Sequence, residues 1–235
     1  MRRQIPNFLT LLNLFSGSIA IVMAFQGDFK GVVIWIAIAA LFDFLDGLAA
    51  RLLKAYSSLG KELDSLADVV SFGVAPASAV FILIRDWSLI PGYLEFLQPW
   101  LPYMAFLIPV FSAYRLAKFN IDERQTNSFI GLPTPANALF WISYCYGIHQ
   151  SAAKNEHFFY LTAAFIIVMS LLMISEIPMF SLKIKKATFK GNEKQILLLL
   201  LVVFLIVLQG VIGISWGIAA YILLSIVCNK KKTNR

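Results

Sequence analysis

Four aspartates within one short stretch carry the chemistry this sequence can do. Asp43-Phe-Leu-Asp46-Gly47-Leu-Ala-Ala50-Arg51 is followed, after eight residues, by Gly60-Lys-Glu-Leu-Asp64-Ser-Leu-Ala-Asp68. Asp43 and Asp46 close the apolar run from Val32 to Leu45, where an unpaired carboxylate costs a few kcal/mol or more. On a helix Asp43, Asp46, Gly47, Ala50 and Arg51 share one face about 140° wide at 100° per residue. Gly60, Asp64 and Asp68 step by four and form a second stripe. Converging carboxylates repel strongly unless cations neutralise them. Oxygen-only ligands favour hard divalent ions, Mg²⁺ or Mn²⁺, over zinc. Two such ions roughly 3.5–4 Å apart suit transfer at phosphorus, because together they clamp the attacking and leaving oxygens. Gly47 and Ala50 leave room for a bulky ligand, and Arg51 offers a fork of donors matched to phosphate. Ion pairing with Arg51, Lys54 and Lys61 explains a lone aspartate at a helix end, but not four at these spacings.

The elements that must position these groups are membrane helices. Of 235 residues 59% are apolar and 14% charged, against roughly 25% charged in a soluble domain. The long unbroken apolar runs exclude a β-barrel, whose strands alternate. The expected fold is all-α, a single polytopic domain over residues 1–235. Eight spans are predicted, at 7–25, 31–50, 66–84, 101–118, 134–150, 157–175, 195–209 and 211–228. The last two, parted only by Gln209-Gly210, form either a tight hairpin or one re-entrant feature. Arg2 and Arg3 precede a long apolar stretch with no small-residue cleavage site, which reads as a retained first span.

With both termini in the cytosol, seventeen of the twenty lysines and arginines fall on that side. The far side holds Lys30, Arg85 and Lys154. This bias sets the orientation, and the Lys183–Lys194 run reads as a topology determinant. It also brings both aspartate clusters to the cytosolic face, joined by the loop Leu52–Lys61. The net charge of +7 suits anionic headgroups, and no separate nucleic-acid module is visible. Cys145 and Cys228 read as small hydrophobes. His149 and His157 form no ligand pattern together.

The pattern D-x2-D-G-x2-A-R-x8-G-x3-D-x3-D resembles the signature of the CDP-alcohol phosphotransferase family. The resemblance implies that Asp43, Asp46, Asp64 and Asp68 ligate a two-metal centre, with Asp68 also serving as the base. It implies that Gly47 and Arg51 bind the CDP moiety and that Ser57 contributes. Pro6-Asn7-Phe8-Leu9-Thr10 resembles the family's first-span donor contact, which adds Asn7 and Thr10. Val70–Pro76, Arg115–Asn120 and Phe129–Ala136 look like the family's phosphatidylserine synthase branch. The sequence differs from that branch at Lys118, where arginine is common, and at Asn137, where a small residue is common.

The implied reaction moves a phosphatidyl group from CDP-diacylglycerol to L-serine with Mg²⁺ or Mn²⁺, in a bacterial or archaeal cell membrane. The family also implies a homodimer. Glycerol 3-phosphate or inositol phosphate as acceptor, or an archaeal ether-lipid donor, are the alternatives within the same chemistry. Arg115 either snorkels to the headgroups or supplies the cation that a serine carboxylate needs. A cation transporter would need polar groups continuing through the bilayer, whereas the rest of spans two and three is largely apolar. Cysteines introduced at Lys54 and Lys186 are expected to label only from the cytosolic side, and one at Lys154 only from outside. Labelling of Lys54 and Lys154 from one side would break the span count between them.

Overall fold

The computed structural model describes residues 4–87, 96–122, 129–151, 156–179 and 193–233. Arg2, Arg3, Arg124, Lys154, Lys183, Lys185, Lys186, Lys190 and Arg235, used for the orientation, lie outside them. Helix α1 (Gln4–Phe25) turns at Gly27, whose φ of +73° suits glycine, into α2 (Phe29–Leu52). Asp28 caps α2 by accepting from the Gly31 amide at 2.9 Å. The two helices pack along their length as an antiparallel pair. Lys54, in the left-handed conformation at φ 50°, helps reverse the chain after α2.

Helix α3 (Ser58–Asp68) opens with Ser57 as its cap, the hydroxyl accepting from the Gly60 amide at 2.9 Å. It runs through a π-helical turn, Val69–Val74, into α4 (Ala75–Arg85). The third span therefore begins at Ser58 and covers 28 residues, where sequence predicts 66–84. The polar stripe of α3 hid its helical continuity from a count of apolar residues. Proline at 76 has no N–H, and its ring would clash with the Phe72 carbonyl in an unbroken α-helix. The wider turn relieves this, with the Ala75 amide reaching back to the Val70 carbonyl.

A 3₁₀ segment (Leu101–Phe106) leads into α5 (Leu107–Ile121), followed by β1 (Phe129–Ile130) and α6 (Thr134–Gln150). Then come α7 (Glu156–Ile174), β2 (Pro178–Met179), α8 (Glu193–Gln209) and α9 (Gly213–Thr233). Among the described residues, five helical stretches are long and apolar enough to cross a membrane: 4–25, 29–52, 58–85, 157–174 and 195–227. The protein is thus an all-α membrane protein in its bulk. The predicted fourth and fifth spans are shorter helices of 15 and 17 residues. The stretch 195–227 is a hairpin of two helices, because Gly210 at φ +67° and a 3₁₀ turn reverse the chain. Gly217 faces Val202 across it, and a Cβ at Gly213 would meet the Leu205 carbonyl.

The core lies where α1, α2, α4 and α6 meet, with Ile36, Phe72, Ile82 and Trp141 fully buried. Phe8, Phe15, Phe44 and Leu66 point outward, as a lipid-facing surface requires. The antiparallel pair β1–β2 aligns Phe129 with Met179 and Ile130 with Pro178, a feature the all-α expectation does not contain. It ties the approach to α6 to the exit of α7. Gly131 (φ +75°) donates to the Ile177 carbonyl at 2.9 Å, and Leu132 to the Leu172 carbonyl at 3.0 Å.

Helix α1 approaches the π-turn so closely that a Cβ on Gly17 would collide with Ser71. The Ser71 hydroxyl donates to the Asn13 carbonyl at 3.0 Å across the same contact. Overpacking of this kind costs about 1–3 kcal/mol. Gly17→Val is therefore expected to lower the thermal unfolding midpoint in detergent. Ser18→Val, on the exposed side of the same helix, is expected to leave it unchanged.

Candidate active site

The two aspartate stripes meet as their spacing predicts. Asp43, on α2, and Asp64 and Asp68, on α3, each offer a carboxylate oxygen within 4.8 Å of the others. At that separation each charged pair repels by about 3 kcal/mol, taking an effective dielectric near 20. Three pairs reach the order of an entire domain's stability. The cluster is all oxygen, so a hard divalent cation fits its donor set.

Asp46 is turned a little away from the three. The Thr10 hydroxyl sits between its carboxylate, at 2.5 Å, and the Pro6 carbonyl, at 3.1 Å. Asp68 is buried, and the Asn13 amide donates to it at 3.4 Å. Thus α1 orients one carboxylate from each stripe. Asn13 is a site residue that the sequence reading missed. The signal was present, since Asn7, Thr10 and Asn13 recur every three residues in an otherwise apolar span.

Beside the carboxylates lies a cavity of about 790 Å³. Asp46 and Asp64 form part of its wall, and Asn7, Thr10, Gly47, Arg51 and Ser57 all line it. Nothing lies within 4 Å of where a Gly47 Cβ would be, so the glycine keeps backbone open to the cavity. Arg51 donates from Nε to the Gly47 carbonyl at 2.9 Å, which holds the guanidinium along its own helix. Ser57 has a structural duty as well, as the cap of α3. Lys61, also in the wall, reaches the Asn120 carbonyl at 2.6 Å, and Asn120 donates to Ser65 at 2.8 Å. These bonds tie α3 to the end of α5.

Arg115 lies outside the cavity wall. It is 7% exposed, which rules out snorkelling to the headgroups. Its guanidinium stacks 5.3 Å from the centre of the Phe119 ring, and Phe119 does line the cavity. Nη1 donates to the Thr134 hydroxyl at 3.4 Å, while Nε has no partner among the described residues. Asp68 lies close enough for its charge to act on Arg115.

Comparison with known proteins agrees with this geometry. A CDP-diacylglycerol–serine O-phosphatidyltransferase of Helicobacter pylori is 31% identical over 229 residues, covering 94% of this chain and 89% of the relative. An archaetidylserine synthase of Methanothermobacter thermautotrophicus is 34% identical over 176 residues, 74% of this chain and 68% of the relative. A CDP-diacylglycerol–serine O-phosphatidyltransferase of Bacillus subtilis is 35% identical over 131 residues, 56% of this chain and 69% of the relative. The family model described as CDP-alcohol phosphatidyltransferase matches residues 3–228, nearly the whole chain. With the signature aspartates gathered in or beside one cavity and the match covering nearly the whole chain, this chain belongs to the CDP-alcohol phosphatidyltransferase family.

Proposed function

We propose that this protein transfers the phosphatidyl group of CDP-diacylglycerol to the hydroxyl of L-serine. The observation that carries the reading is the cavity itself. Asn7, Thr10, Gly47, Arg51 and Ser57 line it together with Asp46 and Asp64, beside the cluster of Asp43, Asp64 and Asp68, and this supports the expected CDP-lipid and metal roles. Serine as acceptor is supported by the names of the Helicobacter and Bacillus relatives. The Methanothermobacter relative favours, as a second reading, an ether-lipid donor with the same headgroup chemistry.

In the proposed step the serine oxygen bonds to the lipid-linked phosphorus. The bond from that phosphorus to the bridging oxygen breaks, and CMP leaves with its electron pair. Asp68 takes the hydroxyl proton, held in orientation by Asn13. Arg51 and the open backbone at Gly47 receive the nucleotide's phosphates and sugar. Arg115 receives the serine carboxylate beside Asp68. Asp43, Asp46, Asp64 and Asp68 hold two Mg²⁺ or Mn²⁺ ions, which when bound offset charge on the diphosphate. The chain crosses the membrane eight times, with α5 and α6 as its shorter spans. Both termini and the cavity face the cytosol, a placement the charge bias supports. A second copy completes a homodimer, as the family implies.

Chelation tests the metal reading. EDTA is expected to abolish turnover, and Mn²⁺ followed by its paramagnetic resonance should bind the wild type and not Asp64→Ala. Full turnover in chelator would remove the ions from the mechanism.

Acceptor identity is tested by supplying the purified protein with CDP-diacylglycerol and radiolabelled serine. Label is expected in chloroform-soluble lipid, and incorporation of glycerol 3-phosphate or inositol phosphate instead would overturn serine. Arg115→Lys keeps the charge but loses the fork. Its kcat/KM for serine should fall by about 10–150-fold while donor binding holds. A parallel loss of donor binding would place Arg115 in the CDP-lipid site.

A further inference from the structure

Helix α6 carries an unpartnered amide into the heart of the bundle. Asn137 is fully buried, at 0% exposure, yet neither Oδ1 nor Nδ2 has a hydrogen-bond partner among the described residues. A buried amide kept for structure alone is normally paired, because an unmade hydrogen bond in a dry interior is costly. Its neighbourhood is the one where Arg115 lies. Thr134, three residues earlier on α6, is also fully buried and accepts from Arg115 Nη1 at 3.4 Å. Residues three apart on a helix share a face, with Cβ atoms about 5–6 Å apart. Asn137 therefore lies on the face of α6 that meets Arg115, whose Nε is likewise without a partner among the described residues. Position on α6 is set by the turn before it, where Gly131 and Leu132 are bonded to the end of α7 and the residues after it. The π-turn after Asp68 also packs against α6.

Resting on the serine reading above, we infer that Asn137 is the second half of the acceptor subsite. Its Oδ1 receives the ammonium of the amino acid while Arg115 receives the carboxylate. Two groups of opposite demand set side by side read a zwitterion. A neutral amide offers nothing to offset the extra negative charge of a phosphorylated alcohol, so the same residue excludes that acceptor class.

The test measures initial CMP release by the full-length protein in detergent with CDP-diacylglycerol. The acceptors are serine and 3-hydroxypropionate, which is serine without its ammonium. The wild type is expected to favour serine. Asn137→Leu, close in volume but apolar, should raise the serine KM about 10- to 100-fold, leave the donor KM unchanged and erase the preference over 3-hydroxypropionate. Asn137→Asp retains an acceptor oxygen and should keep the preference. An unchanged serine KM in Asn137→Leu overturns the inference while leaving serine as the substrate. So does a donor KM that rises in step, or an equal loss with both acceptors. If Asn137→Leu loses its monodisperse elution, Asn137→Asp and the wild-type comparison decide. A wild type that uses both acceptors equally, or an Asp variant that loses the preference, sinks the inference. A wild type that turns over glycerol 3-phosphate and not serine overturns the functional reading as well.

Discussion

Negative charge held inside an apolar bundle is the constraint on which the rest of this structure depends. Three carboxylate oxygens within 4.8 Å of one another are tolerable only if their positions are enforced and a cation can join them. Enforcement comes chiefly from α1, which is otherwise an ordinary apolar span. Its Thr10 holds Asp46, its Asn13 holds Asp68, and its Gly17 lets the π-turn come close enough for Ser71 to bond across. Carboxylates on two neighbouring helices are thus fixed by a third helix that contributes no charge of its own.

Much of this was legible in the residues. The spacing of Asp43 and Asp46, and of Gly60, Asp64 and Asp68, fixes which faces of two helices turn toward each other. The short link between them leaves those faces little freedom to part. The cavity wall contains every position expected from the signature and the first-span motif for binding the CDP-lipid. Chain order and the apolar runs located each helix to within a few residues, except where polar residues belong to a helix. There the apolar count fails: it starts the third span at residue 66, although the stepping of Gly60, Asp64 and Asp68 already marks a helical stripe before it.

What stayed hidden depends on contacts between distant segments. Asn13 looks like any polar intruder in a span until α3 is seen against it. The β1–β2 pair joins segments some fifty residues apart, and two-residue strands leave no periodic trace. Arg115 could have pointed outward or inward along the same sequence. Phe119 stands one turn further along the same helix, but Thr134 comes from another helix that no local pattern links to it. Helices α5 and α6 fall short of the length expected of a span, and hydropathy alone does not reveal where a 3₁₀ segment takes over.

The π-turn at Val69–Val74 also bears on how this chain can change over evolutionary time. A π-turn accommodates one residue more than the α-helix it interrupts, and each residue in an α-helix advances the chain by about 100° around the axis. Deleting a single residue there would leave the hydropathy profile of the span almost untouched. The wider turn would then close to an ordinary α-helical one, keeping the two halves nearly in phase but driving the Pro76 ring against the carbonyl one turn before it. Length variation in this segment is therefore far from neutral, although every residue involved is one that a membrane would accept.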